Sequence, residues 1–229
     1  MSGITSQWYP YTKVHESYFD LSTTKDIPRR ICDYLIDAPT AYYTPQDNNA
    51  YSRCRFWKYL YYDTEKPLSS PLPTIGQKIS VVYNPDKSTS PPTDKLFRLI
   101  PQIYVKESQE FAQTRVHVYM GRSVSNNPYQ LAVSVVFMIW THYTYELNTR
   151  QDEYSRVFAI EQALIEAFHG VNMDGVGTFF MSKSAHPDCG SRAIFDGNTN
   201  VGRELTFGIE LASTNLNEIG RMDNSDGIW

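Results

Sequence analysis

The chain has 229 residues, 41% of them hydrophobic and 20% charged, with a net charge of −4. That length and apolar content suit a single domain with a sizeable core, while the lack of a basic run argues against a dedicated nucleic-acid binder, which needs clustered Lys and Arg. No apolar run reaches the roughly 18 residues of a membrane span, and the opening MSGITSQWYP has no signal-peptide core, so a product made in the cytoplasm is expected.

Residues 1–23 are polar and aromatic without a period and read as an N-terminal arm. A helix follows, with Asp26 as N-cap, Pro28 in the first turn and Pro39 beyond its end. Ile27, Ile31 and Leu35 share one face of it, which is expected to meet the core. Arg29, Arg30, Asp33 and Asp37 fall on the solvent side.

Residues 40–95 carry Pro67, Pro71, Pro73, Pro85, Pro91 and Pro92 in a Ser/Thr-rich setting. Proline at that density breaks regular structure, so the stretch reads as a Pro/Tyr-rich loop excursion. Within it, Tyr51 to Tyr62 reads as a strand with an aromatic face or as a short helix, and Ile75 to Tyr83 as a short strand. Arg53 and Arg55 read as a solvated face. An excursion of this length usually has a use, and packing against a neighbouring subunit is one. The 17 tyrosines of the chain fit that use, since Tyr joins an apolar ring to a polar tip.

From Lys95 onward the pattern is β. Leu96 to Val105 is a strand broken by Pro101, an edge or bulge signal. Thr114 to Met120 alternates, with Val116, Val118 and Met120 on one face and Arg115, His117 and Tyr119 on the other. Gly121 to Pro128 has turn chemistry. Leu131 to Tyr145 is a long strand with no Gly or Pro and is apolar on both faces. Leu131, Val133, Val135, Phe137 and Ile139 form one face; Ala132, Val136, Met138 and Trp140 form the other, interrupted by Ser134. Such a strand is covered on both sides, by helices on one and by a second layer or partner on the other.

Asp152 to Phe168 is an amphipathic helix on Val157, Ile160, Leu164 and Phe168, closed by Gly170. Ala159, Ala163 and Ala167 give it a small-residue ridge for close packing. Gly177 to Ser182 and Glu204 to Leu211 are strands, and residues 186–202 a loop or hairpin tip between them. Residues 213–229 form a polar tail expected to be mobile. The fold class expected is α+β: a mainly antiparallel β-sheet with two helices packed on it, in a single domain.

Motifs of chemistry are sparse. Cys32, Cys54 and Cys189 are odd in number and widely spaced, so they are not a disulfide framework. His186 and Cys189 are spaced as two zinc ligands would be, but zinc needs three or four and no second pair follows. Ser182, Ser184 and Ser191 lie near His186 without a nucleophile motif. Asp152, Glu153, Glu161 and Glu166 read as solvated helix acids. No cofactor, metal site or enzymatic activity is expected. The residues assigned to a subunit interface are aromatic or soft: Met138, Trp140 and Tyr143, with Tyr51, Phe56, Trp57 and Tyr59.

The passage NNPYQLAVSVVFMIWTHY into EYSRVFAIEQALIEAF, closed by RELTFGIELA, resembles the tail terminator proteins of long-tailed bacteriophages. The match of element order covers the helix at 24–38 and everything from 96 to 212, and leaves 40–95 without a counterpart. The resemblance implies a non-enzymatic virion protein in a hexameric ring. That ring caps the tail tube, joins it to the neck and, in contractile tails, meets the sheath. DNA would cross only its lumen, and no membrane is involved.

Overall fold

The computed structural model describes residues 25–37, 48–83, 97–103, 112–127, 130–147, 155–173, 176–197 and 199–212. The N-terminal arm, the C-terminal tail and parts of the 40–95 stretch lie outside them. The architecture is α+β. The helices are α1 (Ile27–Ile36), α2 (Asn48–Tyr61), α3 (Ile75–Ser80), α4 (Tyr143–Leu147) and α5 (Arg156–Phe168). The strands are β1 (Leu99–Ile100), β2 (Thr114–Asn127), β3 (Gln130–His142), β4 (Asn172–Met173), β5 (Gly177–Phe180), β6 (Gly190–Asp196) and β7 (Asn200–Ala212).

One sheet runs β1-β2-β3-β7-β5-β4, and β6 pairs with β7 beside β5. Every pairing is antiparallel except β1 with β2. The long strand expected from Leu131 is β3, at the centre, bonded along its whole length to β7 from Gln130↔Ala212 to His142↔Asn200. It ends at His142 rather than Tyr145, where the chain turns into α4 and the Tyr143 N–H bonds Thr199 O at 2.9 Å.

The helices cover one face of the sheet. Val116 and Val118, then Val133, Val135, Phe137 and Ile139, then Leu205, Phe207 and Ile209 are buried there. Phe168 at the end of α5 is the centre of that layer, 5.1 Å from the Phe137 ring and 5.2 Å from Phe179. The alanine ridge of α5 is buried throughout. Ser155 caps this helix by accepting the Phe158 N–H, and Gly170 follows it at φ +76, the backbone state glycine adopts without cost. Helix α1 buries Ile27, Ile31 and Leu35 as its spacing requires, and Tyr34 Oη donates to Ala167 O.

Several expectations need correction. The described part of the 40–95 stretch, residues 48–83, is not all loop, because α2 is a 14-residue helix within it. Phe56 and Trp57 are fully buried and Tyr59 is 2% exposed. Trp57 Nε1 donates to Leu35 O at 2.6 Å. These three are core residues and cannot anchor a neighbour in the folded chain. Ile75–Ser80 is a helix, started by a capping box in which Thr74 and Gln77 bond each other's backbone. Of the strand expected over Leu96–Val105, the described residues 97–103 hold the two residues of β1, followed by Pro101. The supposed turn at Gly121 continues β2 to Asn127 through two register irregularities. Residues 190–196, expected within a loop or hairpin tip, form β6, the first arm of a hairpin with β7.

Candidate assembly surface on the far face of the sheet

The face of the sheet opposite the helices carries part of the assigned interface set and an open groove. Ala132, Ser134 and Val136 of β3 are buried there, and Met138 and Trp140 are half-buried. The registers add His117 and Tyr119 from β2, and Gly202, Glu204, Thr206 and Gly208 from β7. This chain supplies part of its own second layer. The turn at 182–189 lies on Gly208, where an added Cβ would stand 2.8 Å from His186 Cβ. Along the β2 side, His117 Nδ1 bonds Gln102 O at 3.1 Å and ties down the 101–103 turn. Burial holds the His117 imidazole down at about 4, against the pull of that carbonyl.

Trp140 packs against Gly202. A Cβ at Gly202 would sit 2.7 Å from Trp140 Cε3 and 2.4 Å from Ile139 O. The missing side chain thus makes the seat for the indole, with Ile194 of β6 on its other flank. The middle of the face stays open as a groove of about 630 Å³, walled by Tyr119, Arg122, Lys183, Asp188, Arg192 and Glu204. Arg192 and Glu204 pair across the β6–β7 register at 2.8 Å. The Tyr119 hydroxyl is pushed up by burial and by the Glu204 charge.

The structure separates the residues assigned to an interface. Met138 and Trp140 are on the far face, and Tyr143 is 47% exposed where α4 begins. Tyr51 is 40% exposed on α2, in the helical layer, with the Arg55 guanidinium 5.6 Å from its ring. Tyr51 and the β3 group therefore belong to opposite layers and make no single patch.

His186, Asp188 and Cys189 do come together, in a turn stitched by its own backbone. His186 N–H bonds Ser182 O, Cys189 N–H bonds His186 O, and His186 Nδ1 accepts the Asp188 N–H. Burial pushes the Cys189 thiol up, away from the reactive thiolate. Among the described residues, no group of three His, Cys, Asp or Glu is placed to hold a metal ion. Nor is any helix among them long and apolar enough to cross a membrane. Of the helix acids described, Glu166 bonds Ser52 and Arg55, and Glu161 is buried against Arg203 at 2.5 Å.

Sequence reading missed two buried arginines. Arg156 is fully buried, and Arg98 is 7% exposed. Both converge on the C-terminal end of α2, where helical carbonyls lack partners. Arg98 bonds Leu60 O and clasps Asp63 with both terminal nitrogens. No local pattern distinguishes such an arginine from a solvated one.

The family model named YomW matches residues 55–207, more than half of the chain. The chain belongs to the YomW family. It is a phage-derived family, named after a gene of the SPbeta prophage of Bacillus, and the chain is accordingly phage-associated. The YomW match begins inside α2 and ends inside β7. It takes in α3 and the second half of α2, so the stretch without a counterpart among tail terminators lies largely within this family's shared region. No curated protein and no solved structure matches the chain.

Proposed function

We propose that this YomW-family protein is a structural subunit of a tailed-phage virion. In this reading it is a tail terminator that assembles as a closed ring, most simply a hexamer, between tail tube and neck. The observation that carries the reading is the order of elements. A helix, a β-hairpin, a helix laid across the sheet and a closing strand follow one another as in the terminators. Phage membership of the family supports the setting. The far face supports assembly: Met138 and Trp140 stay half-buried on the same face as a groove that the described residues leave open. The role needs no enzymatic chemistry and no cofactor, and DNA meets the protein only in the lumen.

The test is electron microscopy of the purified chain and of particles that contain it. Closed rings with rotational symmetry at the head–tail junction are the expected result. Single copies without rotational symmetry would end the reading. A second reading, a small-molecule or sugar-binding module, draws on the groove, whose volume falls in the usual range for ligand sites of about 300–1,000 Å³. A monomer that retains a small ligand through gel filtration would favour it over the ring.

A further inference from the structure

The exposed apolar side chains on the two edges of the sheet are unlike each other. At one edge lies β6, which pairs only with β7 among the described residues. Its outer ladder of N–H and C=O groups is a template for another chain. Phe195 on this strand is 74% exposed. The register sets it beside Val201, two residues along from the Ala193↔Arg203 pair and on the same face. The Arg203 guanidinium lies 4.4 Å over the ring of Phe158, itself 51% exposed. Arg203 is already neutralised by Glu161 and held by Ser191 Oγ. Its charge is therefore already paired when the Phe158 ring beside it is covered.

At the other edge lies α3. It leads into Val82, which bridges β1, the terminal strand on that side. Ile75 and Ile79 stand one turn apart on α3, 47% and 48% exposed. The capping box fixes this short helix. Folding of the single chain gains little from any of these side chains.

We propose that the β6 edge, with Phe158 and Phe195, seats on Ile75 and Ile79 of the next copy of the same chain. Unlike surfaces at opposite edges of one subunit make a head-to-tail contact, and repetition of such a contact closes a ring when its rotation allows. A two-fold dimer would instead use one patch twice. At about 200 Å² per ring, the exposed parts of Phe158 and Phe195 amount to roughly 250 Å². That is close to a third of the roughly 800 Å² each partner buries in a standard interface, before any strand edge is counted. The inference rests on the ring reading and names its contact.

The experiment uses the full chain and two variants, Phe195→Asp and Ile79→Asp, followed by analytical ultracentrifugation and negative-stain imaging. The wild type forms rings. Each variant alone is a folded monomer by circular dichroism, its self-association weakened at least about 30-fold. Mixed in equal amounts, the two form a one-to-one dimer and stop there. One variant retains an intact α3 patch and the other an intact β6 edge, so a single contact can form. Phe195→Ser and Ile79→Ser replace any variant that fails to fold. Rings persisting in both variants would overturn this contact and leave the ring standing. A mixture that stays monomeric would show that the two patches do not meet. A wild type that never associates would overturn the contact and the ring together.

Discussion

Removing the guanidinium of Arg156 tests whether the end of α2 is held as the structure indicates. Arg156 Nη1 donates to Tyr59 O at 2.7 Å and Tyr62 O at 2.6 Å, and Nη2 to Thr64 O at 2.7 Å. Nε adds a weaker contact to Tyr145 O at 3.5 Å. Arg156→Met preserves much of the apolar stem and deletes all four donors. Hydrogen bonds to a charged group contribute about 1.5–3 kcal/mol each, so the three short ones sum to roughly 4–9 kcal/mol. The desolvation cost of the buried cation disappears with it and offsets part of this. Burial and the nearby Arg98 already hold the Arg156 guanidinium down, while Asp63 pulls the other way. A net loss of about 4 kcal/mol follows, a large share of the roughly 5–15 kcal/mol that stabilises a domain. For a chain of this size that lowers Tm by about 8–16 °C. Arg156→Lys should recover only part, because one ammonium cannot span carbonyls from two segments. The assay is urea denaturation followed by tryptophan fluorescence, with exposed Lys183→Met as a control expected to stay within about 0.5 kcal/mol. A loss below about 1 kcal/mol in Arg156→Met would refute the capping role.

His117 sets a pH dependence. Its folded value of about 4 lies below the ordinary 6.5, so on acidification the unfolded chain takes up a proton that the folded chain refuses. Its contribution is whole above pH 6.5 and is lost progressively as pH falls toward 4, amounting to about 3 kcal/mol; His117→Gln should flatten that part of a stability–pH curve, and an unchanged slope would count against it. Gly202→Ala should cost about 1–3 kcal/mol and shift the tryptophan emission, because its methyl displaces Trp140; an unperturbed spectrum would contradict the seat described here. Cys189→Ala should leave metal content unchanged at zero by elemental analysis; stoichiometric zinc lost on that substitution would restore a metal role to the His186–Cys189 turn.

The β-rich half of the chain was legible because its signals are local. β3 is dense in β-branched and aromatic residues with no Gly or Pro, and α5 carries a helical stripe and a terminal glycine. Helix α2 was legible only as one of two alternatives, strand or short helix, for a physical reason. Its buried residues, Ala50, Ser52, Phe56, Trp57, Tyr59, Leu60 and Tyr61, reach around much of the cylinder, because α5, the sheet and the 67–69 turn all meet it. A helix covered on several sides loses its stripe, and its aromatic content then mimics a strand. The capping box at Thr74 was readable and was masked by the prolines around it. β6 was hidden for the opposite reason: GSRAIFD, with half of it exposed, has too few inward positions to alternate clearly.

The same ambiguity explains which interface residues survived contact with the structure. Aromatic richness reports that a ring is buried somewhere, and it is silent on whether the burying atoms belong to the same chain. Phe56 and Trp57 are covered by this chain, so their cost on truncation would be a folding cost. Trp140 is covered in part by Gly202 and Ile194. Phe195 is covered by almost nothing in its own chain, yet it sits in a seven-residue run of mixed polarity that lacks the dense apolar content of β3. The surface with most to gain from a neighbour is therefore the one whose sequence looks least like a core. Apolar side chains left exposed at opposite edges of one sheet are better evidence for a repeating contact than any count of tyrosines, because their positions specify how one copy must meet the next.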